Sequence, residues 1–316
     1  MKSQSVTAPS LTKKRYTFFT DVRRNRFSYL LILPALLYVL VFSYLSYPYM
    51  IIAFKNFNYK LGVFGSEWCG FKNFEFFLKS TNAPTVIRNT LVLNLLFIVT
   101  GTLTSLVLAI LLNELRSRVF VRTAQTMMLF PHYISWVVVS YILLAIFSNK
   151  NGLANQLLNA LGMKSVSWYT KADVWPTILV WMKIWKSAGM NAVIYLAAIT
   201  GIDESIYESA TIDGANRFQR IVSITVPLIM PTVCIMTLLA VGKIMNGDFG
   251  MIYALVGDQG ILYETTDVID TYVYRVLRQT GDPSQSMAIG LFQSLIGLVM
   301  VVGSNWIVKH TFHEGA

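Results

Sequence analysis

Charge is scarce in this chain. Asp, Glu, Lys and Arg make up 13% of its 316 residues, against about 25% in an average soluble protein. With 54% hydrophobic residues and a mean hydropathy of +0.53, that scarcity argues against a soluble domain and for a chain that crosses a membrane repeatedly. Cysteine is scarcer still: Cys69 and Cys234 provide neither a disulfide framework nor a metal site, and Cys234, inside an apolar run, reads as a small buried residue. Of three histidines, His132 follows Pro131 and suits helix packing at a kink, while His310 and His313 lack further ligands. The phosphate-cradling pattern Gly-x-x-x-x-Gly-Lys-Ser/Thr is absent, as is any nucleophile–base pair or metal cluster. The chain is therefore not expected to be an enzyme, and energy for any transport must come from a partner or an ion gradient. The first 27 residues have no apolar stretch ahead of a cleavage site, so the first apolar helix is expected to remain as an anchor.

What is present is a series of apolar stretches. A bilayer core about 30 Å thick needs roughly 20 apolar residues in helix, and six segments qualify, near Tyr29–Phe54, Ile87–Asn113, Thr123–Phe147, Val174–Ile199, Leu228–Leu255 and Met287–Val308. The expected fold is all-α, a six-helix polytopic membrane protein. No repeat or long linker divides it, so residues 1–27 read as a basic tail and 28–316 as one membrane domain. The net charge of +10 does not point to nucleic acid. It is concentrated in the tail, at Lys2, Lys13, Lys14, Arg15, Arg23, Arg24 and Arg26, where basic residues hold a chain end in the cytoplasm and touch anionic lipid heads. Arg116, Arg118 and Arg122 mark a second cytoplasmic loop. An even number of spans then places both termini, and residues 200–227, on the cytoplasmic side of a bacterial cell membrane.

Between the spans, Trp68, Phe71, Phe74 and Phe77 recur at a spacing of three and predict one face of an interfacial helix. Leu153, Leu157, Leu158 and Leu161 predict a small external helix packed against the mouth of the path. Polar residues interrupt the fourth and fifth spans. Lys183, Lys186 and Asn191 in one, and Lys243, Asn246, Asp248 and Phe249 in the other, are candidate path-lining groups. Intramembrane charges are costly and usually face protein or water, and donors, acceptors and rings together suit the lining of a polar path. The competing explanation is structural: Lys243 and Asp248 pair with each other or with partner charges, and Lys183 and Lys186 reach towards the headgroups. Three lysines also allow an acidic substrate. Gln293, Ser294 and Asn305 suit interhelical hydrogen bonds, and Tyr272, Tyr274 and Arg275 are placed to meet an external protein.

The polar stretch at 200–227 carries the most specific pattern. Asp203 supplies a helix start signal, Glu204–Ile212 are helix formers, and Gly214 permits a sharp change of direction. A second short helix is expected from Asn216 to about Thr225, with Phe218, Ile221, Val222 and Thr225 on one face, closed off from the fifth span by Pro227. Glu208, Ala210, Gly214, Ile224 and Pro227 fall at the spacing Glu-Ala-Ala, three residues, Gly, nine residues, Ile, one residue, Leu-Pro, with Ser209 and Val226 as small departures. In this the chain resembles the coupling loop of ABC-importer permeases. The resemblance extends through Leu33-Pro34, Asn89-Thr90, Tyr195–Ile199, Asp267–Arg275, Gly290–Ser294 and Asn305–Val308 to the carbohydrate-uptake group, in particular its oligosaccharide and polysaccharide branch. It implies Glu208, Ala210, Asp213, Gly214, Ala215, Phe218, Ile224 and Pro227 as the ATPase-coupling residues. It also implies a second, similar permease as heterodimer partner, two ATP-binding subunits that hold ATP and Mg in place of any cofactor in this chain, and an external solute-binding protein. The alternative is an ion-coupled secondary sugar transporter with Asp248 as the coupling acid.

Overall fold

The structure is a computed structural model describing residues 18–149 and 151–312, with side chains at 20–149 and 151–306. Lys2, Lys13, Lys14 and Arg15 of the basic tail, and His313, lie outside the described residues, as do the side chains of Ile307, Val308 and His310. The chain forms two compact units, residues 1–51 and 52–316. In the first, α1 (Phe18–Arg24) turns at Asn25 into α2 (Arg26–Phe42), with Tyr29 Oη donating to Asp21. A 3₁₀ stretch, Tyr44–Phe54, leads onward.

The second unit begins with a two-residue antiparallel pair, β1 (Lys55–Asn56) with β2 (Glu67–Trp68), Lys55 facing Trp68. Its helices follow as α3 (Lys72–Leu78), α4 (Ala83–Glu114), α5 (Arg118–Tyr133), α6 (Trp136–Phe147), α7 (Leu153–Ala160), α8 (Trp175–Thr200), α9 (Glu204–Ile212), α10 (Arg217–Arg220), α11 (Val226–Val241), α12 (Phe249–Val256), α13 (Ile269–Thr280) and α14 (Pro283–Phe312). Apolar residues along α4 enter three successive clusters. Leu93 and Phe97 join Leu143, Trp175, Leu179 and Met251; Ala83 and Val86 join Phe77, Met245, Ile269 and Ile289; Ala109 and Leu112 join Ala192, Leu196 and Ile229. The axis of the fold is thus α4 against α8. Gly189 lets α5 close onto α8: a Cβ there would lie 2.0 Å from the Met128 carbonyl oxygen.

Among the described residues, four helical stretches are long and apolar enough to cross a membrane: Arg26–Phe54, Ala83–Glu114, Arg217–Val241 and Pro283–Trp306. The expected third span is a pair, α5 and α6, bent by 96°. Helix α8 has the length of a span, but Lys183, Lys186 and Asn191 dilute its apolar character. The expected fifth span is also broken: α11 ends at Val241 and α12 starts at Phe249, so Leu228–Leu255 is not one helix.

Three local expectations are corrected. The aromatic series is not one helical face, because only Phe74 and Phe77 lie within α3. Trp68 sits in β2 and stacks on Phe54 at 5.7 Å, while Phe77 is buried in the core. On α7 the leucine stripe points outward, with Leu153, Leu157 and Leu161 exposed. The loop is held instead by buried Asn155, whose Oδ1 accepts from Val166 N–H and Trp168 Nε1. On α13, Tyr272 is buried and Arg275 is paired with Asp267, its guanidinium 4.0 Å from the Tyr263 ring centre, so of that trio Tyr274 alone is exposed. Asn89 and Thr90 tie α4 to the same region: Asn89 Nδ2 donates to the Glu264 and Asp267 carbonyls, and Thr90 Oγ1 accepts from Ile269 N–H.

Candidate functional site

The break between α11 and α12 builds a cavity. Residues 242–248 leave the helical hydrogen-bond ladder, and exposed backbone groups at membrane depth are tolerated only where protein or a water-lined cavity satisfies them. Here side chains from three other helices do so. Asn94 Nδ2 on α4 donates to the Ile244 and Asn246 carbonyls at 2.9 and 3.1 Å. Gln293 Nε2 on α14 donates to the Met245 carbonyl at 3.0 Å and to Asp270 Oδ2 at 3.1 Å. Asp270 on α13 also accepts from Gly247 N–H. Burial pushes its carboxyl up from the ordinary value, with the Gly247 and Gln293 hydrogen bonds pulling the other way. Asp248 caps α12, its Oδ1 accepting from Met251 N–H at 3.0 Å.

With the backbone satisfied, the side chains of the break are free to face an opening of about 670 Å³. It is lined by Lys183, Asn191, Lys243, Asn246, Asp248 and Phe249 among the expected path residues, and by Asn94, Phe97, Thr102 and Tyr195, which were not expected. The latter lie on α4 and α8 at ordinary apolar-helix positions, and only the α4–α8 pairing turns them towards the break. Lys183 Nζ pairs with Asp248 Oδ2 at 2.7 Å and lies 5.9 Å from the Phe97 ring centre. Lys243, the partner the sequence offered for Asp248, is exposed and has no side-chain acceptor among the described residues. Phe249 stacks on Tyr253 at 5.1 Å, and both meet Tyr274 at 5.0 Å, forming an aromatic wall continuous with the cavity lining.

Lys186 does not line the cavity. It sits one turn from Lys183, turned to the α5–α6 break, where the last carbonyls of α5 have no intrahelical partner. Its ammonium donates to the carbonyls of Pro131 (3.3 Å), His132 (2.9 Å) and Ile134, and lies 5.1 Å from the Trp136 ring centre. Ser135 caps α6 on the other side of the bend, accepting from Val138 N–H. A central Lys costs about 3 kcal/mol in a bilayer scale, and three carbonyls with a ring offset it.

At 203–227 the local chemistry produces a capped helical hairpin. Asp203 caps α9 through Ser205 N–H at 3.0 Å. Gly214 stands at φ +82°, with Gly214 N–H bonded to the Thr211 carbonyl and Ala215 N–H to the Ala210 carbonyl, the paired bonds of a Schellman motif. Asn216 and Gln219 exchange reciprocal bonds of 2.8 and 2.9 Å at the start of α10. Arg220 to Thr211 Oγ1 and Tyr207 to Thr225, each 2.9 Å, tie the two arms together. Glu208, Asp213, Gly214 and Phe218 are exposed, Ala210, Ala215 and Ile224 are half-buried, and Ile212 joins Phe218 as an exposed apolar pair. Pro227 does not separate the second arm from the fifth span. A π-helical stretch, Ile221–Thr225, carries α10 directly into α11, and its wider turn relieves the clash a proline makes with the carbonyl four residues back. The extra residue per turn also rotates the face, so Thr225 is buried while Phe218 and Val222 are exposed.

Comparison with known proteins gives a consistent picture. The family described as "Binding-protein-dependent transport system inner membrane component" matches residues 101–312. The protein LplB of Bacillus subtilis (strain 168) is 36% identical, covering 98% of this chain and 96% of its own. The polygalacturonan/rhamnogalacturonan transport system permease protein YteP of the same organism is 32% identical over 100% of this chain and 99% of its own. A chain from the crystal structure of a bacterial ABC transporter that imports the acidic polysaccharide alginate superposes with a TM-score of 0.85 at 32% identity, over 93% of this chain and 99% of that one. A second such structure holds an alginate pentasaccharide-bound periplasmic protein and superposes with a TM-score of 0.84, also at 32% identity, over 93% of this chain and 98% of that one.

Proposed function

Because the chain belongs to the family of binding-protein-dependent transport system inner-membrane components, we propose that it is the permease subunit of an ATP-driven importer of oligosaccharides or polysaccharide fragments. It is a multi-pass membrane protein, and its helices carry the path. The six-span topology combines the four apolar stretches, the bent α5–α6 pair and α8, with both termini and residues 200–227 in the cytoplasm. Residues 1–27 are then a tail and 28–316 one membrane domain. Polysaccharide-directed relatives support the substrate class, and the periplasmic protein of the alginate system supports delivery by an external solute-binding protein.

ATP and Mg are held by two separate ATPase subunits, with no cofactor in this chain, and a second homologous permease completes the path. The observation that carries the ATPase contact is the doubly capped hairpin, which presents Ile212 and Phe218 beside Glu208, Asp213 and Gly214 on two arms tied together by hydrogen bonds. An ion-coupled carrier is less well supported: Asp248, its coupling acid, is already engaged by Lys183 and by the α12 cap.

Co-expression of this chain with its ATPase and partner permease, followed by affinity purification in mild detergent, tests the reading. The ATPase is expected to co-purify with the native chain and to be lost with Glu208→Lys. Absence of any ATPase from the native complex, with proton-dependent sugar uptake by this chain alone, would establish the ion-coupled alternative.

A further inference from the structure

The cavity holds two lysines in different states. Lys183 is neutralised by Asp248 at 2.7 Å. Lys243 faces the same cavity, exposed and with no side-chain acceptor among the described residues, although an ionisable residue within an expected span is normally retained with a partner or a task. It stands just beyond the last residue of α11, where the helix end favours a cation, but that field leaves the three ammonium donors unfilled. The surrounding chemistry is that of sugar recognition. Asn191 and Asn246 supply amides, and Phe97 and Phe249 supply rings. The acidic groups at the break, Asp248 and Asp270, are both engaged elsewhere.

Resting on the importer function above, we propose that Lys243 is the specificity-determining residue of this cavity, binding the carboxylate of a uronic-acid unit in the oligosaccharide while the neighbouring amides and rings take its hydroxyls and ring face. Lys183 does not share this task, because Asp248 holds its charge. A neutral oligosaccharide would leave Lys243 unpaired in the loaded cavity, so the site discriminates for the acid.

The test is competition in proteoliposomes carrying the complete importer with its binding protein, using trigalacturonate and its carboxyl-reduced counterpart as probes. The quantity read is the ratio of their uptake rates. Lys243→Met is expected to lower the preference for the acid at least about tenfold, the scale of one charge-assisted hydrogen bond, and Lys243→Arg to restore it. The charge-neutral pair Lys183→Met with Asp248→Asn, measured alongside, should change the ratio far less. A ratio unmoved by Lys243→Met, whatever happens to the absolute rates, overturns the proposal and identifies Lys243 as a group paired with another subunit. A native importer that takes up neither probe, yet hydrolyses ATP with its binding protein present, overturns the oligosaccharide reading itself, and this inference with it.

Discussion

Two of the expected spans are broken, between α5 and α6 and between α11 and α12, and the breaks have opposite fates. Between α5 and α6 the freed carbonyls are gathered by Lys186 and the following N–H groups by Ser135, so the bend is closed and offers little to a ligand. Between α11 and α12 the freed backbone is satisfied mainly from behind, by Gln293 and Asp270, with Asn94 joining from the cavity wall. The side chains of that break are left to face open space. Both obey the same requirement, that no backbone polar group be left bare in hydrocarbon. The difference lies in which side supplies the partners. A break braced from the front is a structural elbow; one braced from the back becomes a lining.

The comparison can be broken most severely at the elbow's packing. Gly189→Leu places side-chain atoms where the Met128 carbonyl lies. It should cost about 3 kcal/mol or more, the upper range for overpacking, seen as a large drop in the unfolding midpoint in detergent. A next, smaller effect is expected from Lys186→Met, which leaves three carbonyls without their donor: roughly 2 kcal/mol of stability, with the preference among sugar substrates unchanged. If Lys186→Met instead altered substrate preference at native stability, the elbow would belong to the path after all.

At the lining the expected balance reverses. Lys183→Met removes a half-exposed ion pair worth about 1 kcal/mol, and adding Asp248→Asn should recover part of that loss in a double-mutant cycle. Uptake, rather than stability, should register the change. The smallest effect concerns Asp270. Its folded carboxyl is pushed above the ordinary value by burial, so its contribution to stability is complete below the unfolded carboxylate range, about pH 4. It is lost as pH rises through the higher folded value. Unfolding midpoints measured from about pH 4 upward should fall less steeply in Asp270→Asn than in the native chain.

Much of this was legible in the order of residues. Apolar length placed α4 and α14, the Asp203 start signal and Gly214 placed the hairpin, and the polar interruptions pointed to α8 and the expected fifth span. Lys183 and Lys186 were not separable in that way. Three residues apart on one helix, they share a face by period, yet one meets Asp248 and the other the end of α5, because the two neighbours of α8 come from opposite sides. Arg275 looked available for an outside protein until Asp267, eight residues earlier, was seen to hold it.

The order of residues sets what depends on local energies: a charge-poor, apolar helical chain, the start signal and glycine that shape the hairpin, and the polar residues that need partners. Which partner each of them meets follows from packing alone. An intramembrane amide or ammonium accepts whichever complementary group packing brings within hydrogen-bond reach, and here those groups lie tens to hundreds of residues away, at Asp248 for Lys183, at Ile244 for Asn94 and at Met245 for Gln293.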